Sequence, residues 1–404
     1  MKITRVETHV LLDPNMDIGA TSSAQDNIVV EIHTDSGISG VGECDLNPWI
    51  AEACIMAPGT HTMGQGLAEM LIGEDPLNIS ALWEKMYIGS AMNGRRGAVI
   101  NAIGAIDIAL HDLKGKALGV PVYELLGGAV KQEITPYASL QPEVSSFNAY
   151  RDSLAEWAKK AKALGFKAAK AECTLSGPYA HKGLNESNEK ATEVIAAVRE
   201  AVGYDFTLMV DVQYAFPNVE ECLNTIKNWE KFKLFFLETP LSPDDLDGYA
   251  RLAKEQSISI AAGEWLTTRF EFLDLMDRGK VQVSQPDIGR VGGLTEAKRV
   301  CDLALERGIK IVPHIWKTGI SIAAGIHLAA TAPHIPFIEF LPASLCESSL
   351  RKELLMEDFE MINGKIQLPK KPGLGIEINR DALERFKRTA EDTVKKRNIK
   401  FFGY

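Results

Sequence analysis

The first third of the chain alternates apolar and polar positions and then changes to helical spacing. Two segments with the period of half-buried strands, KITRVETHVLL and NIVVEIHTD, are followed by the turn TDSG and a third short segment, ISGVGE. Further along, NAIGAIDIALHDLKGKALG has apolar residues at helical spacing and stops at Gly119, shortly before Pro121. We therefore expect an antiparallel sheet with helices packed on it, which is an α+β unit.

From about residue 133 short apolar runs alternate with amphipathic helical stretches. The runs have the continuous apolar character of buried parallel strands: ITPYAS, FKAAKAE, FTLMVDV, LFFLETP, ISIAAGE, KVQVSQPD, KIVPHIW and PFIEFL. Because so many strands alternate with helices within little more than two hundred residues, the pattern favours a closed parallel barrel over an open sheet.

The tail breaks this alternation. Asn363-Gly364 within MINGKIQLP is a strong hairpin signal, and RDALERFKRTAEDTVKKR has helical periodicity. We expect this tail to return to the first unit. The predicted domains are an α+β capping domain at 1–130, a barrel at 131–345 and a C-terminal segment at 346–404 that completes the cap.

Composition and charge narrow the class of protein. The 404 residues are 46% hydrophobic and carry a net charge of −10 without a basic block, which argues against nucleic acid or an anionic membrane as a partner. No window approaches eighteen consecutive apolar residues, and the opening MKITRVETHV lacks the pattern of an export signal. The cytoplasm is the expected location, and the six scattered cysteines are expected to be reduced thiols.

The predicted strands end on polar and charged residues, and in a parallel barrel chemistry takes place at those ends. The strand-end candidates are Lys170, Glu172, Asp211, Gln213, Glu238, Glu264, Asp287, His314 and Glu339.

Three of these acids, Asp211, Glu238 and Glu264, follow one another at intervals of about one strand and one helix. Neighbouring strands lie about 4.8 Å apart, so the three carboxylates should converge in one small volume. They cannot all stay ionised there without a counter-charge, and an all-oxygen triad suits Mg2+. The alternative is that these acids cap helices or pair with surface lysines.

Asp287 and His314 come from consecutive strands and could form a hydrogen-bonded pair in which the carboxylate raises the basicity of the imidazole. His314 is therefore a candidate general base, whereas His327 and His334 are expected to be packing residues. Glu339 would face the metal cluster, so we expect a raised pKa and a role as hydrogen-bond donor or acid. Its alternative is a salt bridge with Lys317.

Several motifs together resemble the enolase superfamily, specifically its mandelate racemase subgroup. They are GAIDIALHDLKGKALGVPVYELLGG, VDVQ, LETP, AGEW, QPDIGRVGG, VPHIW and IEF. The resemblance implies a modified TIM barrel of (β/α)7β type under the cap, with one Mg2+ per subunit bound by Asp211, Glu238 and Glu264. It also implies that the Asp287–His314 pair removes the proton beside a substrate carboxylate to give an enediolate, with Glu339 as donor to that carboxylate.

The segment KAAKAEC differs from the corresponding segment in the two-base members of this subgroup, which have a Lys-x-Lys motif there. Lys170 occupies the first lysine position and would bind the substrate carboxylate, but Glu172 occupies the second. We expect a depressed pKa for Glu172 beside Lys170 and a dication, which suits it to bind a substrate hydroxyl rather than to supply a proton. Dehydration needs only one base, so we favour conversion of an acid sugar (an aldonate) to its 2-keto-3-deoxy product, as in the aldonate dehydratases that the chain resembles.

Alternatives remain open. An Mg2+-dependent racemase or epimerase would use Glu172 as its second base, and a catalytically silent barrel would only bind a sugar acid or a partner protein. Muconate-type cycloisomerisation is less favoured because Asp287 stands where that branch has a lysine, and Gln213 stands where mannonate dehydratases have a histidine.

Further substrate contacts are expected from Gln213 and Lys317 and from two loops of the cap. These loops are DPNMDIGATSSAQ and CDLNPWIAEA, in which Asp17 or Trp49 could close over the substrate. Relatives in the subgroup often form dimers that assemble into octamers, so the resemblance implies a homo-oligomer.

Overall fold

The computed structural model describes residues 1–397. The N-terminal region forms an antiparallel sheet in the order β1-β2-β3, as the alternating pattern predicts. Its strands are β1 Ile3–Leu12, β2 Asp26–Thr34 and β3 Ser39–Cys44.

Six helices follow this sheet, and the longest of them, with 21 residues, packs directly on it. They are α1 Pro48–Met56, α2 Leu67–Leu71, α3 Ile79–Gly89, α4 Ala91–Gly94, α5 Ala98–Leu118 and α6 Val122–Leu125. A side chain at Gly42 would overlap with the carbonyl oxygen of Ala105, so this glycine lets β3 and α5 approach closely. α5 ends at Gly119, which has φ 70° in the left-handed region.

Eight parallel strands form a curled sheet in which the last strand pairs with the first. In chain order they are β5 Pro136–Leu140, β6 Ala168–Glu172, β7 Thr207–Asp211, β8 Leu234–Glu238, β9 Ile260–Ala262, β10 Val283–Ser284, β11 Lys310–Ile311 and β12 Ile338–Phe340. The sheet order is β11-β10-β9-β8-β7-β6-β5-β12, so strands β5 to β11 each pair with their neighbours in the chain, and β12 pairs with β5. The predicted parallel barrel with an α+β cap is confirmed.

Helices connect the strands and bury their apolar faces against the sheet. They are α7 Phe147–Ala163, α8 Ala191–Val202, α9 Val219–Ile226, α10 Leu246–Glu255, α11 Thr268–Asp277, α12 Ile288–Val291, α13 Gly293–Glu306 and α14 Gly319–Ala330. Short 3-10 helices lie at 23–25, 188–190, 229–232 and 343–345. Inside the barrel, Tyr137, Met209 and Phe236 belong to a separate cluster that fills the space below the strand ends.

The segments that follow the last barrel strand pack in two different places. A short strand, β4 Glu133–Ile134, precedes the barrel, and helix α15 Ser349–Glu353 follows it. The predicted hairpin consists of β13 Met361–Ile362 and β14 Lys365–Gln367, with the turn residue Asn363 at φ 52° and Gly364 at φ 78°. This hairpin pairs with β4 and not with the N-terminal sheet.

The last helix, α16 Arg380–Lys396, does return to the N-terminal region, where Ala390 packs against Val10 and Leu12 of β1. Residues 398–404 of the predicted C-terminal segment lie outside the described residues. The division at 130 and 345 stays a prediction.

The cap rests on the barrel through buried polar and close backbone contacts. The Trp83 indole donates to the carbonyl oxygen of Gly292 at 2.7 Å, and the Asp107 carboxylate accepts from the Thr295 amide at 2.9 Å. Across residues 1–397, no helix has both the length and the apolar character needed to cross a bilayer.

Candidate active site

The acids at the ends of β6, β7 and β8 lie side by side. Glu172 is the register partner of Asp211, and Asp211 is the register partner of Glu238, so the three side chains share one face of the sheet. Glu264 follows β9 after Gly263, whose φ of 125° redirects the chain at the strand end. Carboxylate oxygens of Asp211, Glu238 and Glu264 all lie within 4.8 Å of one another, and all three residues are buried.

This triad has too little positive charge around it for three ionised carboxylates. The Lys170 ammonium lies 3.0 Å from Glu238 Oε1 and 3.6 Å from Asp211 Oδ2, while Glu238 Oε2 is buried with no hydrogen-bond partner among the described residues. Burial raises the pKa of Glu238 to about 8. Lys170 lowers this pKa, whereas the carboxylates of Asp211 and Glu339 raise it further. The donor set, its convergence and the orphaned oxygen fit a hard divalent cation.

Glu339 at the centre of β12 is held as an anion. Its Oε1 accepts from Ser139 Oγ at 2.7 Å and lies 2.9 Å from Lys170 Nζ, and its Oε2 accepts from the Ile315 amide at 2.6 Å. Burial opposes ionisation, but Lys170 and His314 outweigh it and lower the pKa of Glu339 to about 2. The expected raised pKa is therefore wrong, because Lys170 faces Glu339 as well as the triad. The alternative pairing of Glu339 with Lys317 is also absent.

Glu172 also differs from expectation. Its Oε1 accepts from the amide and the hydroxyl of Thr174, but burial, followed by the charge of Asp211, raises the pKa of Glu172 well above its ordinary value. Lys170 does not supply the expected depression, because it turns toward Glu238 and Glu339 and leaves Glu172 beside another acid.

The predicted histidine–aspartate pair is present. His314 Nδ1 donates to Asp287 Oδ2 at 2.8 Å, which leaves Nε2 directed at the acids, 3.4 Å from Glu264 Oε2. Burial alone would lower the pKa of His314, but Glu339, Asp287 and Glu264 outweigh burial and raise it to about 9. Asp287 is itself fixed at the start of α12, where its Oδ1 accepts from the Arg290 amide at 2.9 Å.

These groups line a cavity of about 400 Å³ between the barrel and the cap. Its polar lining comes from strand-end residues and from the segment after β1, and one wall is aromatic. The lining residues are Ala20, Thr21, Ser23, Ser139, Lys170, Glu172, Tyr179, Asp211, Gln213, Glu264, Trp265, Arg290, His314 and Trp316. The first of the two predicted cap loops thus reaches the cavity, through Thr21 and Ser23.

The structure does not bring three of the predicted substrate contacts to this cavity. Trp49 lies at the start of α1 and packs against Val10 and Leu12, and Asp17 pairs with Lys182 outside the lining. Lys317 is buried in the interface between cap and barrel.

The sequence did not predict two charged residues beside the cavity. Arg290 and the buried Asp45 form an ion pair at 2.5 Å beside the cavity, and Arg290 Nη1 donates to the Glu264 carbonyl oxygen at 3.2 Å. Both residues stand within segments singled out by sequence, CDLNPWIAEA and QPDIGRVGG, so an acid in the cap loop and a cation in the barrel motif were the available signal.

The eight-stranded barrel, the α+β cap and the carboxylate triad beside a histidine–aspartate pair define a class of barrel enzymes built to hold a divalent metal ion. Residues 1–127 match the family described as mandelate racemase / muconate lactonizing enzyme, N-terminal domain, and residues 153–382 match the enolase C-terminal domain-like family. The chain belongs to the mandelate racemase / muconate lactonizing enzyme family and is a member of the mandelate racemase subgroup of the enolase superfamily.

Relatives match nearly the whole chain. D-galactarolactone cycloisomerase of Agrobacterium fabrum is 34% identical over 400 residues, which are 96% of this chain and 99% of that protein. Arabinonate dehydratase of Saccharolobus solfataricus is 33% identical over 91% of this chain and 92% of its own length. The crystal structure of 3,6-anhydro-D-galactonate cycloisomerase from Zobellia galactanivorans superimposes with a TM-score of 0.84 at 33% identity, covering 96% and 99% of the two chains.

Proposed function

We propose that this protein is an Mg2+-dependent dehydratase of an acid sugar, which removes the proton beside the carboxylate and the hydroxyl at the next carbon to give a 2-keto-3-deoxy sugar acid. The observation that carries the proposal is the pairing of one imidazole, His314, with Asp287 beside a buried carboxylate triad. Names of relatives such as arabinonate dehydratase and D-galactonate dehydratase support this reaction class.

Asp211, Glu238 and Glu264 would hold one Mg2+, which when bound supplies a Lewis acid for the substrate carboxylate. Lys170 adds a fixed positive charge on the same side of the cavity, because its ammonium is already held by Glu238 and Glu339. Both charges make the hydrogen next to the carboxylate more acidic.

His314 then carries both proton transfers. In the neutral form of His314, whose fraction increases as the pH rises toward its pKa of about 9, Nε2 accepts the proton from carbon 2, while Asp287 accepts from Nδ1 and stabilises the imidazolium that forms. The same Nε2 returns the proton to the hydroxyl that leaves carbon 3, so one water departs and the carbon 2–carbon 3 enol becomes the 2-keto product. Glu339, held as an anion, stabilises the imidazolium from a third direction, 4.0 Å from Nε2.

The lining of the cavity supports a polyhydroxylated substrate. Gln213, Glu172 and Thr21 offer donors and acceptors for hydroxyl groups, and Trp265 and Tyr179 offer a wall for the carbon chain.

Cycloisomerisation is a second candidate, because two close relatives are named for that reaction. In a cyclic acid sugar the departing oxygen stays attached to the rest of the molecule, so the same proton transfers by His314 would give an isomer without release of water. A racemase or epimerase would instead need Glu172 as a second base on the side of the cavity opposite His314.

One experiment separates these reactions. The protein is incubated with Mg2+ in deuterated water with open-chain and lactone forms of four- to six-carbon acid sugars, and products are followed by NMR and by semicarbazide detection of 2-keto acids. A dehydratase gives a 2-keto acid that has lost one water, a cycloisomerase an isomer that keeps all its oxygen atoms and carries solvent deuterium at carbon 3, and an epimerase a stereoisomer deuterated at carbon 2. Turnover in His314→Asn as fast as in the wild type would contradict all three assignments.

We also propose a homo-oligomer, a dimer or an octamer, and a cytoplasmic location. Exposed apolar residues on the cap helices, including Ile88 and Met92, support self-association. The six unpaired cysteines support a reducing compartment.

A further inference from the structure

Lys317 is a buried cation that joins the cap to the strand end that bears His314. Its side chain is 1% exposed, and its ammonium donates to the Ser23 carbonyl oxygen at 2.5 Å and to Asp26 Oδ1 at 2.6 Å. It also lies 3.2 Å from Asp45 Oδ1. Every one of these partners belongs to the cap, whereas Lys317 belongs to the loop after β11.

The cap segment that Lys317 holds is part of the cavity wall. Thr21 and Ser23 line the cavity, and the indole of Trp316, the neighbour of Lys317, donates to Ser22 Oγ at 3.0 Å. Two consecutive side chains of the barrel loop therefore fix residues 21–26 in place over the site.

From Asp45 a continuous series of contacts runs back to the proposed base. Asp45 Oδ2 pairs with Arg290 Nη2 at 2.5 Å, the Arg290 amide donates to Asp287 Oδ1, and Asp287 Oδ2 accepts from His314 Nδ1. Since His314 and Lys317 are close neighbours in the loop after β11, this series closes on itself. A displacement of Asp45 would therefore shift Asp287 through Arg290 and would shift the loop after β11 through Lys317.

Stability alone is a poor reason for such an arrangement. Taking the Lys317 ammonium and the Asp45 carboxylate out of water costs several kcal/mol per ion, and buried ion pairs often contribute little net stability. Their characteristic effect is on geometry, because a buried charge tolerates only those arrangements that keep its partners in place.

We propose that Lys317 is a positioning residue of this site: it fixes the cap segment 21–26 over the cavity and, through Asp45 and Arg290, holds Asp287 in register with His314. The structural half of the proposal concerns the protein alone. The kinetic half rests on the proposed function, because it requires that His314 be the base.

The structural half is tested by hydrogen–deuterium exchange of the full chain. Lys317→Met removes the charge at similar length, and Asp26→Asn, at a half-buried position, weakens the same contact from the cap side with less risk to folding. Arg199→Met is the matched control, since Arg199 is a buried cation that donates to the carbonyl oxygens of Phe232 and Phe206 in another part of the barrel.

Both test variants should speed exchange in peptides spanning 20–26 and 312–318 by about tenfold or more, which is the effect of weakening local closure. Arg199→Met should leave those two peptides within about twofold of wild type after correction for global stability. Unchanged exchange at 20–26 in both variants, or an equal change in Arg199→Met, would overturn the proposal, whatever the protein catalyses.

The kinetic half uses the best substrate found in the acid sugar screen. Lys317→Met and Asp26→Asn should raise KM and lower kcat together, since cap segment and base are both misplaced, by about tenfold or more in kcat/KM. The double variant should lose little more than Lys317→Met alone, because both changes break one contact. Faster exchange with unaltered kinetics would restrict Lys317 to a structural role and refute its positioning role.

Discussion

At the scale of single residues, the site owes its chemistry to where each charge finds its partner. Lys170 contacts three carboxylates, so Glu339 is held ionised while Glu238 and Glu172 are left under-compensated. One lysine thus divides the acids at the strand ends into an anion fixed beside His314 and a group that accepts a cation.

Replacing the proposed base is the first test at this scale. His314→Asn keeps a polar side chain next to Asp287 but removes the group that accepts the proton, so we expect kcat to fall about 10²- to 10⁴-fold. Mg2+ affinity, measured by calorimetry, should change little because the triad is intact. His334→Asn is the matched control, since His334 is a half-buried histidine away from the cavity, and a comparable loss of kcat there would argue against the assignment.

Metal binding should release protons. Because burial raises the pKa of Glu238 to about 8, this carboxyl is largely protonated at pH 7 in the metal-free protein, and a bound cation must displace that proton. Titration of Mg2+ into chelator-treated protein, in buffers of different ionisation enthalpy, should show release of about one proton or more per site at pH 7. Release should decline at pH 9.5, where the group is already ionised, and absence of release at pH 7 would contradict this account.

Sequence could predict the central residues of the site because they sit at strand ends, and strand ends are readable from periodicity. Asp211, Glu238, Glu264, Asp287 and His314 all converge as expected. Trp49 and Lys317 could not be placed in this way, because the position of a cap loop over a barrel depends on contacts between residues far apart in the chain.

At the scale of elements, the sequence again predicts what local pattern determines and does not predict what contacts between distant residues determine. Each of the eight apolar runs forms a strand, because a buried parallel strand needs apolar residues on both faces. The hairpin at Asn363-Gly364 was predicted from its turn, yet its partner β4 was not, because the turn sets local register only. α14 contains His327, which was expected to be a packing residue and is fully buried.

His327 should make α14 sensitive to acid. Burial lowers the pKa of His327 to about 4, while its two ring nitrogens contact the Tyr123 amide and the Leu374 carbonyl oxygen. The folded-state pKa lies below the unfolded value, so this contribution to stability is complete above about pH 6.5 and is lost as the pH falls toward 4. Over that interval wild type should lose about 3 kcal/mol more than a variant without a titrating group.

Urea unfolding of wild type and His327→Gln at pH 7.5, 6, 5 and 4.5 measures this difference. Other groups titrate equally in both proteins, so they cancel in the comparison. A difference between the two proteins that is independent of pH would show that His327 does not titrate on unfolding in this range.

At the scale of the whole molecule, buried hydrogen bonds and an ion pair join the cap to the barrel. β3 and the segment after it supply Glu43 and Asp45, and these acids meet the loop after β11 and the start of α14. The loop bearing His314 thus ends in contacts made by the other domain, so the site depends on both.

Glu43 offers the test at this scale. Its carboxylate is buried and accepts from the Thr318 amide at 3.1 Å, the Thr318 hydroxyl at 2.6 Å and the Ser321 amide at 2.8 Å. In Glu43→Gln an amide group must face at least one of these donors, which leaves buried polar atoms unpaired, and we expect a loss of about 3 kcal/mol in the free energy of unfolding. Glu74→Gln, at a partly exposed glutamate paired with Lys85, should change it by less than about 0.5 kcal/mol. Urea unfolding monitored by fluorescence and circular dichroism should give one coincident transition for Glu43→Gln, shifted to lower urea, because cap and barrel share this contact. Separate transitions with an unshifted barrel would mean that the two units fold independently and that the cap contributes nothing to the stability of the strand end bearing His314.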